Sequence, residues 1–246
     1  MKRLLYILYS LFIATPIWVV ITIFTALVVV IAALCGDTKW TSYWFPKYWS
    51  KSACLLYLIR VRVEGRENLD RRQSYIFLAN HQGYWDAFLI YGYLGWPFKW
   101  MMKEYLRKIP FVGYACYKSK QIYVGESRAS ITRAIRMAEQ TLTDGMSMTI
   151  FPEGTRTSDG RLGSFKRGAF MLANEINLPI VPITINGSYN VLNRHDRWIH
   201  PGTMTMTIHR PITTADREGM DSKSVMNLVW ETINKDLKAP TESEND

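Results

Sequence analysis

The hydrophobic positions of the chain form one long run near the N-terminus and a series of short runs after it. Apolar residues fill nearly every position from 4 to 34, interrupted only by Tyr, Ser, Thr and Pro16. A helix of that length extends about 46 Å, against a bilayer hydrocarbon core of roughly 30 Å. The run therefore predicts a membrane-embedded helical segment, either one tilted span or a hairpin broken near Pro16. It is too long for the core of a secretory signal peptide and lacks a small-residue cleavage site.

Basic and aromatic residues flank this run. Lys2 and Arg3 precede it, and Lys39, Lys47 and Lys51 follow it. Because positive charges mark the cytoplasmic side, basic flanks at both ends slightly favour the hairpin, and we expect the rest of the chain on the cytoplasmic side of an inner or cytoplasmic membrane. The aromatic residues among these lysines predict an interfacial collar, with an ordinary aromatic core cluster as the alternative. They are Trp40, Tyr43, Trp44, Phe45, Tyr48 and Trp49.

The short apolar runs alternate with helical patterns and predict an α/β domain. Apolar residues recur at helical spacing over 131–142, 169–174 and 225–237. This alternation is typical of a mixed sheet flanked by helices. We therefore assign residues 1–55 to a membrane anchor with its collar, 56–239 to the α/β domain and 240–246 to a disordered tail. Strand-like runs cover residues 59–63, 75–79, 98–102, 121–124, 146–151, 180–185 and 204–209.

The charge balance indicates an anionic partner. The formal net charge is +9 and the pI is near 9.4. The basic residues are scattered and form no zinc-finger or basic-zipper signature, so we expect no nucleic acid partner. A phospholipid membrane and a phosphorylated substrate explain the charge equally well, and the apolar N-terminal run favours them. Cys35, Cys54 and Cys116 form no CxxC pair, so neither a disulfide framework nor a structural metal site is expected.

A histidine and an aspartate follow the strand-like run at 75–79. His81 and Asp86 are five residues apart, and on one continuous helix they would point roughly 140° apart. If His81 lies in the turn before a helix and Asp86 in its first turn, the two side chains converge. Asp86 then holds one imidazole nitrogen and leaves the other free as a base. The alternative is a favourable first-turn carboxylate beside an unrelated polar histidine.

A second polar block follows the strand-like run at 146–151. Gly154 and Thr155 lie in a predicted turn beside Arg156. Backbone N–H groups next to a guanidinium suit the binding of a phosphate. Glu153 is expected to orient Arg156 or the acceptor. The alternative is a surface turn with one solvated arginine.

These blocks resemble the membrane-bound glycerolipid acyltransferases, in particular the 1-acylglycerol-3-phosphate (lysophosphatidic acid) acyltransferases. Residues 81–86 match the His-x4-Asp signature of that family, and Phe-Pro-Glu-Gly-Thr-Arg at 151–156 matches its glycerophosphate-binding block. Residues 165–169 and 181–183 resemble two further blocks. A lone His-x4-Asp is weak evidence, whereas four blocks in the family's order, over residues 63–187, are strong.

The resemblance implies direct transfer of a fatty acyl group to the sn-2 hydroxyl of lysophosphatidic acid, giving phosphatidic acid. The donor would be acyl-CoA or an acyl carrier protein thioester, with no bound cofactor. His81 would be the general base, and Asp86 would fix the tautomer of its imidazole. Lys103, which matches the lysine ahead of the family's Ile-Pro-x-x-Gly segment, would stabilise the developing oxyanion. The alternatives are another lysolipid or glycerol-3-phosphate as acceptor, and a non-catalytic membrane lipid-binding protein.

The chain departs from the family pattern at two positions. Where the family has an arginine that holds the acceptor phosphate, after the strand at 121–124, this chain has Glu126. Arg128, two residues later, is the candidate substitute and is assigned to substrate binding. Tyr105 replaces the glutamate that follows the matching lysine in the family. These departures leave open a different acceptor, such as an amino-acid-based or otherwise modified lysolipid.

Overall fold

The computed structural model describes residues 2–36, 41–125, 127–142 and 145–240. Within them, strands and helices alternate as the apolar runs predict. The helices are α1 (Lys2–Tyr9), α2 (Thr15–Leu34), α3 (Thr41–Leu56), α4 (Asp86–Tyr93), α5 (Val112–Lys118), α6 (Arg128–Thr141), α7 (Arg167–Ile176), α8 (Ser188–Leu192) and α9 (Ser222–Asp236). The strands are β1 (Ile59–Glu64), β2 (Ile76–Ala79), β3 (Phe98–Lys103), β4 (Ile122–Val124), β5 (Ser147–Ile150), β6 (Ile180–Asn186) and β7 (Gly202–Ile208).

The strands of the described chain form one seven-stranded sheet in the order β1-β7-β6-β2-β5-β3-β4. Neighbouring strands are parallel except β6 and β7, which are antiparallel. The predicted mixed sheet flanked by helices is therefore confirmed. Because β2, β5, β6 and β3 run the same way, their carboxyl ends open on one edge, where α/β sheets place their ligands.

Helices cover both faces of the sheet, so its central strands are buried throughout. In β2, Phe77 packs into the core cluster that includes α3 and α4, whereas Ile76 and Leu78 pack into the cluster that includes α6, α7 and α9. Successive strand residues point to opposite faces, so both sets are buried and most of them are apolar. Every residue of β2, β5 and β6 is buried accordingly.

The N-terminal apolar run forms one continuous helix. A π-helical turn at Ser10–Ala14 joins α1 to α2, and Pro16 lies in the first turn of α2. A wider turn ahead of a proline relieves the clash of its ring with the carbonyl four residues earlier. The hairpin broken near Pro16 is therefore wrong. The helix Arg3–Leu34 is long and apolar enough to cross a membrane, and its most apolar stretch is largely exposed.

This helix lies along the α/β domain. Near its start, the Tyr6 hydroxyl donates to the Tyr57 carbonyl over 2.9 Å. In its second half, Val29 packs with Ala115 of α5. These contacts are separated by about 35 Å of helix. Residues of α3 also belong to the same core cluster as the sheet. The division at residue 55 stays a prediction.

The aromatic collar divides into two groups. Tyr43 is buried, and Trp49 stacks on Trp18 of α2 at 5.4 Å between ring centroids. These two residues fit the alternative of a core cluster. Trp44, Phe45 and Tyr48 are exposed on α3, as the collar requires. Trp40 and Lys39 lie outside the described residues, as do Glu126 and the tail 241–246.

Candidate active site

Two loops at the carboxyl ends of adjacent strands build the site. Strands β2 and β5 pair in parallel, with Leu78 opposite Ile150. The chain leaves β2 towards His81 and leaves β5 towards Arg156, so the two blocks singled out in the sequence meet at one edge. The loops are joined directly, because the Thr157 N–H donates to the His81 carbonyl over 2.9 Å.

The His81 and Asp86 side chains converge as predicted. His81 Nδ1 lies 2.7 Å from Asp86 Oδ2. Because a carboxylate only accepts hydrogen bonds, Nδ1 carries the proton and Nε2 is the acceptor nitrogen. Asp86 opens α4 and is fully buried, whereas the His81 side chain is 19% exposed. Among the described residues, His81 Nε2 has no hydrogen-bond partner. The pair therefore presents one free basic nitrogen at the sheet edge.

Other donors hold the buried Asp86 carboxylate. The Gly83 N–H donates to Oδ2 over 2.9 Å, and the Ser188 hydroxyl donates to Oδ1. Ser188 is fully buried and lies in α8, immediately after β6. A Cβ at Gly83 would stand 2.7 Å from the carbonyl oxygens of Ser188 and Leu192. Glycine thus lets the His81 loop lie flush against α8, which keeps the carboxylate and its donors together.

Asn80 fixes the start of the same loop. Its amide nitrogen donates to the Ile185 carbonyl over 2.9 Å, and its amide oxygen accepts from the Ile185 N–H over 2.6 Å. The side chain thereby continues the β2–β6 ladder by one rung beyond the last backbone pair. His81 leaves the sheet from this anchored position.

The Glu153 carboxylate binds backbone groups rather than Arg156. Its Oε1 accepts from the His81 N–H over 2.7 Å, and its Oε2 accepts from the Gly163 N–H over 2.8 Å. Burial raises the pKa of Glu153, opposed by these two hydrogen bonds and by the nearby His81 ring. Both oxygens are engaged, so Glu153 positions the His81 backbone. Contact of Glu153 with a substrate stays a prediction.

Aromatic rings fix the plane of the imidazole. The His81 ring lies parallel to Phe151, with 4.0 Å between centroids, and Phe151 stacks on Trp100 at 5.2 Å. This stack, together with the bond to Asp86, leaves the imidazole one orientation. Nε2 is therefore preorganised rather than free to rotate.

Arg156 supplies a positive charge beside this histidine loop. Its guanidinium lies over the Tyr84 ring, 3.4 Å from the centroid, and its Nη1 is buried without a hydrogen-bond partner. A buried N–H without an acceptor is unfavourable by about 1–3 kcal/mol. An anion placed there would remove that penalty. The Arg156 turn is therefore suited to a phosphate.

The backbone of that turn differs from the sequence prediction. The Gly154 N–H donates to the Phe151 carbonyl over 2.9 Å. It closes the turn, so the expectation that it faces a phosphate is wrong. Gly154 has φ +68°, and a Cβ there would lie 2.9 Å from Cε of Lys166. Lys166 thus lies across the turn and adds a second cation. Thr155 is exposed.

The remaining candidates lie at or near the same edge. Lys103 ends β3 and is exposed, and Tyr105 follows it on the surface. Arg128 is the first residue of α6, and its side chain lies outside the described part of the structure. The roles of Lys103 and Arg128 stay predictions. Within the described ranges, no group of three or more His, Cys, Asp or Glu residues is placed to hold a metal ion.

The carboxyl edge of a mixed α/β sheet thus carries a histidine held by a buried aspartate and a half-buried arginine, an arrangement suited to activating a hydroxyl beside an anion. The Acyltransferase family model matches residues 60–186. The chain belongs to this family, as the four sequence blocks predict.

Individual relatives agree with that assignment. A chloroplastic 1-acyl-sn-glycerol-3-phosphate acyltransferase of Arabidopsis thaliana is 31% identical over 174 residues, which are 69% of this chain and 48% of the relative. The 1-acyl-sn-glycerol-3-phosphate acyltransferase of Pseudomonas aeruginosa is 32% identical over 172 residues, 69% of this chain and 65% of the relative. This chain thus spans about half the length of the plant relative.

A solved structure matches the whole fold. The crystal structure of the 1-acyl-sn-glycerophosphate acyltransferase PlsC from Thermotoga maritima superimposes with a TM-score of 0.77 at 28% identity. The match covers 96% of this chain and 95% of that protein. It therefore includes the N-terminal helix as well as the sheet.

Proposed function

We propose that the protein is a membrane-bound 1-acylglycerol-3-phosphate O-acyltransferase. It transfers a fatty acyl group from an acyl thioester to the sn-2 hydroxyl of lysophosphatidic acid and so produces phosphatidic acid for phospholipid biosynthesis. The observation that carries the proposal is the His81 imidazole, held at Nδ1 by buried Asp86 and free at Nε2. The names of the relatives support the choice of substrate.

The proton step follows from that geometry. The acceptor hydroxyl gives its proton to His81 Nε2 as its oxygen attacks the thioester carbon. The imidazolium that forms is stabilised by the Asp86 carboxylate at Nδ1. When the carbon–sulfur bond breaks, the proton passes from Nε2 to the departing thiolate. The new ester forms in one transfer, and the enzyme carries no acyl intermediate.

The acceptor phosphate occupies the Arg156 turn. The guanidinium Nη1, which lacks a protein partner, donates to a phosphate oxygen, and Lys166 stands close enough to add charge. The Arg156 guanidinium packs on the ring of Tyr84, and Tyr84 lies three residues after His81. The same two loops therefore hold both the phosphate and the reacting hydroxyl. Binding in this way orients the hydroxyl towards Nε2.

The donor and the membrane complete the proposal. The donor is acyl-CoA or acyl carrier protein thioester, and Lys103 at the end of β3 stabilises the oxyanion. The exposed apolar face of the helix Arg3–Leu34 holds the enzyme in the membrane, with the α/β domain on the cytoplasmic side. The lipid acceptor then reaches the site from the bilayer.

A second acceptor is the alternative that the sequence departures support. Glu126 stands where the family pattern expects an arginine that holds the acceptor phosphate, and Tyr105 replaces the glutamate that follows the matching lysine. A different lysolipid, or glycerol-3-phosphate, would then be the better substrate. The same His81 chemistry would apply, because any primary or secondary hydroxyl meets the same base.

An acceptor panel tests the proposal. Purified protein in detergent is given labelled oleoyl-CoA, or oleoyl acyl carrier protein, with lysophosphatidic acid, glycerol-3-phosphate, or lysolipids with other headgroups. Formation of phosphatidic acid with the highest kcat/KM supports the proposal. Preferred acylation of another acceptor assigns the alternative. No transfer from either donor to any acceptor would leave a non-catalytic lipid-binding protein.

A further inference from the structure

A strained and unusually apolar surface segment follows β3. Residues 104–118 comprise a 3-10 turn, Glu104–Lys108, and helix α5. The residue between them, Phe111, has φ +60° and ψ −60°, a backbone conformation that is unfavourable for a bulky residue. Its side chain is nevertheless 55% exposed rather than buried. Backbone strain that keeps an apolar ring exposed to solvent indicates that this surface contacts another molecule.

Phe111 is one of five exposed apolar residues of this segment, which together we call the patch. Tyr105, Ile109, Tyr114 and Tyr117 are each between 43% and 62% exposed. Basic residues border the rings: Lys118 Nζ lies 5.5 Å from the centroid of Tyr114. Amphipathic rings beside cations prefer the headgroup zone of a bilayer.

The patch is joined to the apolar N-terminal helix. Ala115, in the middle of α5, is buried against Ala26 and Val29 of α2. The α2 helix exposes its apolar face along most of its length. Because that face belongs in hydrocarbon, α5 is held at the boundary of the same membrane. The rings of the patch are then at headgroup depth.

A cavity of about 420 Å³ opens beside the patch. Its cationic lining residues are Arg107, Lys118, Lys120 and Arg133, and its acidic one is Glu104. Glu104 lies 3.6 Å from both Arg107 and Arg133. Four cations against one carboxylate leave an excess of positive charge. The cavity is thus suited to an anionic headgroup.

We propose that residues 104–118 and this cavity form a second membrane-contact surface that binds an anionic phospholipid of the bilayer, with the exposed rings in the interface and the headgroup phosphate in the cationic cavity. This lipid is neither donor nor acceptor. It binds on the outer side of edge strand β4, three strands away from β2, the strand that leads to His81. The surface fixes how the active site faces the membrane.

The lipid-binding arm of the test uses short-chain lipids and the intact protein. Thermal unfolding is followed by tryptophan fluorescence while dihexanoyl phosphatidylglycerol or dihexanoyl phosphatidylcholine is added in detergent. A ligand of the folded state raises the transition temperature with its concentration. Lys118→Gln with Lys120→Gln is expected to weaken phosphatidylglycerol binding about 30-fold, from about 1 kcal/mol for each cation near an anionic lipid.

Matched variants separate this site from general charge and from the acceptor site. Lys223→Gln with Lys235→Gln removes two charges from α9 and should leave the affinity unchanged. Arg156→Ala should also leave it unchanged, because the lipid is not in the acceptor site. Equal affinity for both lipids, no effect of the Lys118/Lys120 pair, or loss on Arg156→Ala would each overturn the proposal.

The membrane arm places a dye at the strained residue. In a Cys35→Ser, Cys116→Ser background, Phe111→Cys is labelled with an environment-sensitive fluorophore, and the protein is reconstituted into phosphatidylcholine–phosphatidylglycerol vesicles. Brominated lipids should quench this dye, and should not quench the same dye at Met171→Cys on α7, which is comparably exposed. Equal quenching at both positions, or none at residue 111, would contradict the membrane contact. Neither arm requires acyl transfer, so failure here is distinguishable from failure of the proposed function.

Discussion

The hydroxyl of Ser188 gives the sharpest test of how the His81–Asp86 pair is held. Ser188→Ala removes the one donor to Asp86 Oδ1 among the described residues and changes no group that touches substrate. A hydrogen bond to a buried charged group contributes about 1.5–3 kcal/mol. A loss of about 2 kcal/mol would lower the Tm by about 4–8 °C for a chain of this size.

Loss of the Ser188 hydrogen bond should also lower kcat. An Asp86 carboxylate with fewer donors is free to move, and the imidazole that depends on it loses its fixed orientation. If the full 2 kcal/mol were lost in the transition state, kcat would fall about 30-fold. We expect a fall of at least about tenfold, with the KM of the acceptor little changed, because Ser188 does not contact the Arg156 turn.

The matched control is Ser147→Ala. Ser147 is also fully buried, and its hydroxyl accepts from the Tyr75 N–H over 3.1 Å at the opposite end of β5. This variant should lose stability and keep its kcat. The assay is acyl transfer at saturating donor, with the acceptor varied, beside a thermal melt. A kcat for Ser188→Ala equal to that for Ser147→Ala would refute the positioning argument.

Three further predictions follow from the site. Arg156→Ala should raise the acceptor KM at least tenfold, and Arg156→Lys should recover part of it; an unchanged KM would show that the phosphate binds elsewhere. Because burial raises the pKa of Glu153 above its unfolded value, the folded state binds the extra proton, and stability falls as pH rises from about 4.3 through the folded pKa. Glu153→Gln should remove this contribution, so between about pH 4 and 7 the stability of the wild type should fall more, relative to the variant, as pH rises. The same pH dependence in both proteins would contradict the assignment. Gly83→Ala should be destabilising by about 1–3 kcal/mol because its Cβ meets two backbone carbonyls, whereas Gly168→Ala in α7, with open space around it, should be neutral or stabilising. Equal melts for these two glycine variants would contradict the close packing of the His81 loop on α8.

The hydrophobic pattern was sufficient to predict the strands, because a strand that is buried on both faces appears in the sequence as a run of mostly apolar residues. The strands β2, β5 and β6 are buried on both faces, and their sequences are mostly apolar. Their buried polar residues are Ser147, Thr149, Thr184 and Asn186. The N-terminal run shows the limit of this reasoning. Pro16 predicts a break from local sterics alone, but a π-helical turn ahead of it accommodates the ring, and nothing in the residue types of 10–14 signals that turn.

The sequence predicted only those contacts of the site that join residues close together along the chain. His81 and Asp86 are five residues apart, and a turn followed by a helix start brings them together. Ser188 lies 102 residues beyond Asp86, and only the pairing of β6 with β2 places it there. The role of Glu153 is decided by tertiary contacts with His81 and Gly163, which the sequence around it does not show. The Gly154 N–H is taken up within its own turn by the Phe151 carbonyl.

Phosphatidic acid formation by His81→Ala is the most direct test of His81 as the general base. The purified variant, the wild type and His195→Ala are compared with labelled oleoyl-CoA and lysophosphatidic acid. His195 is an exposed loop histidine and controls for the loss of an imidazole. We expect a kcat at least about a hundredfold lower for His81→Ala and wild-type turnover for His195→Ala. Wild-type turnover by His81→Ala would show that His81 is not the general base.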